Sequence, residues 1–283
     1  MLIIKYIYNS SSSSLIHAPF LLYCSPWFII FRTLTTKHNV KVFVYTKSNC
    51  TALVPFGHYL ASSVGHRMPK LIKNSITFPP YQLSVIVGLI LSDAYLSPIN
   101  SKKGTINSNL EFTQSLAHFK YFWHVFSILS PYCYCYPYFI QRNRSYGFSY
   151  ELKFYTRLLP CFTELRALFY TLPVSQRLGG RQGYGVKIIP ADIYDILTPV
   201  ALAHWIMGDG AKDRNGLIFC TDSYTVEDTI RLMNVLILRY RLDCTLRSHS
   251  SGGFRIYIKT NSMPLLRSIV LPFMHFSMLY KIQ

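Results

Sequence analysis

Two aspartates stand at matching places in this chain. The stretch VGLILSDAYL (87–96) closes an apolar run on Asp93, and ALAHWIMGDG (201–210) closes a second one on Asp209. Each run has helical length and composition, so each carboxylate falls at a helix end, beside solvent. Gly88 and Ser92 in the first run, and Ala203 and Gly208 in the second, are small. Small residues on a helix face let two backbones approach closely. If the two helices pack together, their C-terminal ends meet and the carboxylates become neighbours. Such charges repel unless a cation lies between them. A hard divalent ion such as Mg²⁺ takes oxygen ligands and keeps room for water and phosphate oxygens. The chemistry that follows is metal-assisted phosphodiester hydrolysis, in which paired ions clamp the attacking and leaving oxygens. A single acid at a helix end is more commonly a cap. Its repetition at matching places argues for a site.

Composition names the partner class. Among 283 residues, 29 Lys plus Arg face only 12 Asp plus Glu, a net charge of +17. Such an excess points to a polyanion, nucleic acid before an anionic membrane surface. The apolar stretch at 18–31 is interrupted by Pro26 and too short to span a bilayer, so no stable membrane association is expected. Seven cysteines, with no C-x-x-C pair, read as reduced thiols. Residues 1–75 hold no acid and carry a serine run at 10–14. They read as a poorly patterned N-terminal extension, either an organelle-targeting segment or a leader without a fold of its own.

The elements that would position the acids occur twice. After each aspartate comes a loop with Gly and Asn, then a short strand (LEFTQ at 110–114, LIFCT at 217–221), an amphipathic helix, a strand pair and a proline-led helix. The halves are 76–170 and 199–283, and the basic, Gly-containing stretch 171–198 links them. Thr156 and Thr260, like Pro160 and Pro264, are 104 apart, which aligns Lys153 with Tyr257 and Tyr155 with Lys259. The class is α+β.

IVGLILSDA (86–94) and LAHWIMGDG (202–210) resemble the two signature helices of the LAGLIDADG homing endonucleases. The stretch at 53–69 and SMLYKI (277–282) resemble the flanks of intron-encoded, fungal mitochondrial members. The sequence departs from the signature at Leu91 and Met207, where the family has an acid, and at His204, where it has a packing glycine. His204 is read as a packing residue whose bulk widens the helix seam. The resemblance implies two αββαββα halves related by a pseudo-twofold axis. Antiparallel, saddle-shaped sheets would lie over DNA, with the signature helices at the centre. It implies that Asp93 and Asp209 hold divalent metal, with Mg²⁺ expected, helped by the backbone carbonyls of Ser92 and Gly208. It implies that Gln114 orders site water and that a hairpin lysine, Lys259 or else Lys153, sits beside the scissile phosphates. It also implies a mitochondrial setting.

A two-stranded ribbon fits the major groove, where Arg reads guanine and Asn or Gln reads adenine. The candidate readers are Gln141, Arg142, Asn143, Arg144 and Tyr146 in the first half, and Arg247, Ser248, His249 and Arg255 in the second. Arg177, Arg181 and Lys187 in the linker are expected to touch phosphate. The leading expectation is a monomeric endonuclease that breaks both strands of duplex DNA at a long asymmetric site and leaves short 3′ overhangs. The alternatives are an intron RNA maturase on the same scaffold, a DNA binder without catalysis, and a membrane-surface protein using its apolar N-terminus.

Overall fold

The signature helices are apolar on every side, the pattern of helices that run through a core. In this computed structural model, which describes residues 21–24, 27–30, 64–65, 67–99, 107–144, 147–171, 185–249 and 252–283, they do so. Helix α2 (Pro80–Leu91) starts on a proline at its first position and buries nearly every residue from Gln82 to Leu91. Helix α6 (Pro199–Asp209) also starts on a proline, after Thr198, whose hydroxyl caps the Ala201 amide at 3.2 Å. Tyr146, Arg177 and Arg181 lie outside the described residues.

The chain forms two units, Met1–Leu53 and Val54–Gln283. In the first, β1 (Leu21–Cys24) and β2 (Trp27–Ile30) pair as an antiparallel hairpin; the rest of that extension lies outside the described residues. The second unit includes helix α1 (Lys70–Ser75). In chain order it continues with α2, β3 (Ala94–Leu96), β4 (Leu110–Ser115), α3 (Phe119–Leu129), β5 (Tyr138–Arg144), β6 (Gly147–Tyr155) and α4 (Pro160–Phe169). After the short helix α5 (Ile193–Ile196) the order recurs as α6, β7 (Gly210–Asp213), β8 (Gly216–Phe219), α7 (Val226–Leu238), β9 (Cys244–Ser248), β10 (Phe254–Ile258) and α8 (Met263–Val270). Each half is αββαββα. Strands β3 and β7 are too short to announce themselves by alternation, and the residues of β7 read as loop in the sequence.

The sheets are antiparallel, in the orders β3-β4-β6-β5 and β7-β8-β10-β9. One face of each is core. Phe112, Leu152 and Phe154 point inward, where Phe112 stacks on Phe122 of α3 at 5.8 Å. In the second half Leu217, Phe219, Ile256 and Ile258 do the same, and Phe219 stacks on Trp205 of α6 at 3.9 Å. Side chains alternate across a strand. Glu111, Thr113, Glu151, Lys153 and Tyr155 therefore share the outer face, as do Arg247, Arg255 and Tyr257.

Helices α2 and α6 pack against each other at the centre. A Cβ on Gly88 would lie 2.6 Å from His204 Cβ and would overlap the Ala201 carbonyl oxygen. One on Gly208 would overlap the Ser92 side chain and come 3.2 Å from Asp93 Oδ2. Gly88 and Gly208 thus leave the room in which the two helices meet. His204 does not open the seam, because the missing side chain of Gly88 makes its room. Its Nδ1 lies 3.1 Å from Tyr121 Oη, and burial pushes its pKa down to about 3, so the ring is neutral. Ala203 is buried on α6. Gly88→Ala is expected to destabilise the fold by about 2–3 kcal/mol, since the clash is partly with backbone that cannot rotate away. The urea midpoint at unchanged m-value measures it.

Candidate active site

The site begins with a problem common to all helix ends: the last carbonyls have no partner within the helix. Two lysines answer it. Lys187 Nζ donates to Ile90 O at 2.7 Å, Ala94 O at 3.2 Å and Ser92 O at 3.3 Å, around the end of α2. Lys281 Nζ donates to Gly208 O at 2.6 Å and Met207 O at 2.7 Å, at the end of α6. A cation there also meets the negative end of the helix dipole. Tyr224 Oη completes the set by donating to Leu91 O at 3.0 Å.

The same lysines act on the acids. Asp93 and Asp209 are both crowded by neighbouring chain, though solvent reaches them. Burial raises the pKa of each. For Asp209 the charge of Asp93 adds to burial and the value reaches about 7. Lys187 and Lys281 pull both acids back down. Burial lowers Lys187 to about 8, with both aspartates opposing. Two carboxylates meet two ammonium groups around the helix ends, and His118 adds its field to Asp93.

The halves differ in what holds the acid. Gln114 Nε2, the group expected to order site water, donates to Asp93 Oδ2 at 2.6 Å. No donor to the Asp209 carboxylate is found among the described residues. Sheet register explains why. Ala94, just after the first acid, pairs with Phe112, which pairs with Phe154. Gly210, just after the second, pairs with Phe219, which pairs with Ile256. Counting two residues on from Phe112 and from Phe219 puts Thr221 where Gln114 stands. Its hydroxyl donates instead to Phe254 O at 2.6 Å.

That register also corrects the sequence alignment of the closing strand. Lys153 is matched by Arg255, not Tyr257, and Tyr155 by Tyr257, not Lys259. Lys153 pairs with Glu111 at 2.6 Å, and Lys259 with Asp243 at 3.0 Å. Lys259 lies three residues beyond Ile256, about 10 Å along the strand. The structure does not bring these two lysines to the aspartates. Lys187 and Lys281 hold that place, so Lys187 is no surface phosphate contact. Each lies between apolar neighbours in the segment that follows the proline-led helix of its half, inside VKIIP and LYKIQ.

The expected metal ligands are partly engaged. The carbonyls of Ser92 and Gly208 each accept from an ammonium group, which opposes a metal ion on the same oxygens. The two carboxylates fit a divalent ion better, since Asp209 is crowded, unpartnered and raised in pKa. Among the described residues no three His, Cys, Asp or Glu side chains are arranged to hold a metal. An ion here would rest on two carboxylates, with water and phosphate oxygens completing its shell.

Three of the expected base-reading arginines, and His249, already face carboxylates. Arg142 bonds Glu151 at 2.6 Å, and Arg247 bonds Asp213 while its guanidinium lies 3.4 Å from the Tyr257 ring centroid. Arg255 grips Asp222 with Nε at 2.9 and 3.0 Å and Nη2 at 2.7 Å, and His249 stands 3.7 Å from the same carboxylate. Ser248 ends β9, and Arg144 ends β5. Gln141 and Asn143 share the face of Phe139, opposite to Arg142.

Residues 83–266 match the LAGLIDADG DNA endonuclease family, a span that holds both acids and both sheets. The chain belongs to that family. This LAGLIDADG protein is 31% identical over 206 residues to cytochrome b mRNA maturase bI2 of Saccharomyces cerevisiae, covering 71% of this chain and 47% of that one. It is 29% identical over 207 residues to the maturase of the same name from Debaryomyces hansenii, covering 71% and 72%. It therefore spans about half the length of the first relative. DNA endonuclease I-ChuI of Chlamydomonas applanata is 34% identical over 105 residues, 34% of this chain and 48% of the other. The homing endonuclease I-WcaI, solved on its DNA recognition sequence, superposes with a TM-score of 0.65 at 23% identity, covering 77% of this chain and 94% of that one. This likeness shows the LAGLIDADG fold.

Proposed function

We propose that the protein is a site-specific DNA endonuclease that makes metal-dependent double-strand breaks. The observation that carries this reading is the meeting of Asp93 and Asp209 at the ends of α2 and α6. Asp93 Oδ2 lies beside Gly208, the charges of the two acids act on each other, and Lys187 and Lys281 act on both. A duplex lying along the outer faces of the two sheets would bring its backbone to this point. Asp93 and Asp209 would hold divalent metal, Mg²⁺ being the expected ion. When bound, the metal supplies Lewis-acid stabilisation and an activated water. Gln114 orients the Asp93 carboxylate. The two lysines pull both acids toward the ionised form and would offer positive charge where it develops on the phosphate.

The test is incubation of the purified protein with Mg²⁺ and a plasmid carrying the uninterrupted host locus. Linear product that a chelator abolishes supports the reading. Tight, salt-sensitive binding without any cutting sinks it. Two relatives named as cytochrome b mRNA maturases favour a second reading, assistance to splicing of a host intron. The messenger named for them also suits a mitochondrial setting.

The unequal support of the acids has its own expected result. Gln114→Ala should slow cleavage by about tenfold, as loss of a ligand-orienting partner does. The loss should fall on one strand. Nicked circles then accumulate, and strand-specific end labels show which bond survives. Equal slowing of both strands would argue against a role for Gln114 at one centre.

A further inference from the structure

One group of residues fits neither the core nor the duplex-facing surface. In the β5–β6 hairpin, Phe139 pairs with Leu152, Gln141 with Tyr150 and Asn143 with Phe148. Leu152 is core, so this register face is the helix side of the sheet. The strands outrun the helix layer, and three large aromatics are left in water there. Phe139 is 66% exposed, Phe148 64% and Tyr150 51%. Tyr136, also exposed, extends the band toward α3, with its ring 6.3 Å from that of Phe126. Contiguous exposed apolar surface of this kind marks a binding site.

Its chemistry selects the occupant. Two primary amides, Gln141 and Asn143, alternate with the rings, and both are exposed. None of these five hairpin residues is acidic, whereas Glu111 and Glu151 lie on the opposite face. Rings give flat stacking platforms, amides pair with base edges, and the absence of acids in a chain of net charge +17 admits a phosphate backbone. A duplex keeps its bases stacked inward and offers nothing to a row of aromatic rings. Unpaired RNA splays its bases onto such side chains. We propose that the face formed by Phe139, Tyr150 and Phe148, with Gln141 and Asn143 between them, is a stacking site for unpaired RNA bases. It lies on the side of the sheet opposite the duplex-facing residues. That last assignment rests on the function proposed above; the RNA site itself does not.

Full-length protein is titrated, by fluorescence anisotropy, against a labelled single-stranded oligouridylate and a labelled DNA duplex of arbitrary sequence. The combined variant Phe139→Ser, Phe148→Ser, Tyr150→Ser changes exposed positions only. It should weaken RNA binding at least about tenfold while moving duplex binding less than about twofold. Photocrosslinking of a 4-thiouridine RNA to the parent protein should map to the β5–β6 hairpin, which keeps the proposal testable if the triple variant folds poorly. An RNA affinity that the variant leaves unchanged overturns the proposal, as do equal losses on both probes or crosslinks that map elsewhere. So does a parent chain that self-associates through this strip and ignores the RNA. Plasmid cleavage is scored separately. A protein that holds RNA through this face and cuts no DNA leaves this inference standing while the endonuclease reading falls.

Discussion

Asp209→Asn is expected to slow double-strand cleavage by at least about a thousandfold, some 4 kcal/mol of barrier, while duplex affinity changes only a few-fold. The asparagine keeps the shape of the side chain and removes the charge that would hold a metal. Cleavage rates at saturating protein, set beside binding isotherms, separate the two effects. A variant that cuts at the parent rate would remove Asp209 from the chemistry. Stability without metal gives a second readout, and its sign follows from the pKa. The Asp209 carboxyl stands at about 7 against an ordinary 3.8, so the folded state favours the protonated acid. That preference is fully present below pH 3.8 and is lost as pH rises through about 7. Well above 7, in chelator, the parent carries an ionised, crowded acid and the asparagine variant does not. The variant should then melt higher, each kcal/mol being worth about 2–4 °C in a chain of this size. The gap should narrow as pH falls toward 3.8. Loss of activity with gain of stability is the signature of a strained functional carboxylate.

Lys281→Met carries the second large effect, a fall in cleavage of about a hundredfold. Methionine matches the buried stem and loses the ammonium group, with its bonds to Met207 O and Gly208 O. The pH profile distinguishes electrostatics from packing. Lys281 lowers the pKa of both aspartates, so without it both rise. The acid limb of the cleavage profile should move to higher pH. A purely structural role would depress the rate equally at every pH. Lys187→Met gives the complementary result. Lys187 loses its proton near pH 8 in the parent and with it its pull on the acids. The parent's activity should therefore decline above about 8, and the variant should lack that decline.

The acids, the packed helices and the doubled order of elements were legible because each rests on local pattern. Asp93 and Asp209 close apolar runs, and Gly88 and Gly208 leave room that only a helix partner explains. Register was not legible. Thr156 and Thr260 align in the sequence, but the strands before them pair two residues out of step with that alignment. The choice of Lys153 and Lys259 followed the sequence and missed the site. Lys187 and Lys281 were hidden for another reason. Their role depends on a chain returning beneath a helix end, and no periodicity records it. In the first half, Thr171 N bonds Val186 O and Ile188 N bonds Phe169 O, which carries Lys187 under α2. Residues read as an open linker are thus tied to the core. Gln141 and Arg142 looked equivalent as neighbours in a hairpin, and strand alternation sends them to opposite sides.

The paired cations of the outer faces bear on how such a protein would find one address among many. Glu111, Glu151, Asp213 and Asp222 each hold a lysine or arginine there, and Asp243 holds Lys259 at the far end. Arginines held this way must leave a carboxylate to take a phosphate. The exchange releases few of the counterions that drive indiscriminate attachment to DNA. On the proposed function, residence on unrelated sequence would therefore be brief despite the charge of the whole chain, and the search would proceed by frequent release. Only a duplex offering base edges that suit the freed guanidinium groups would then hold the protein long enough to be cut.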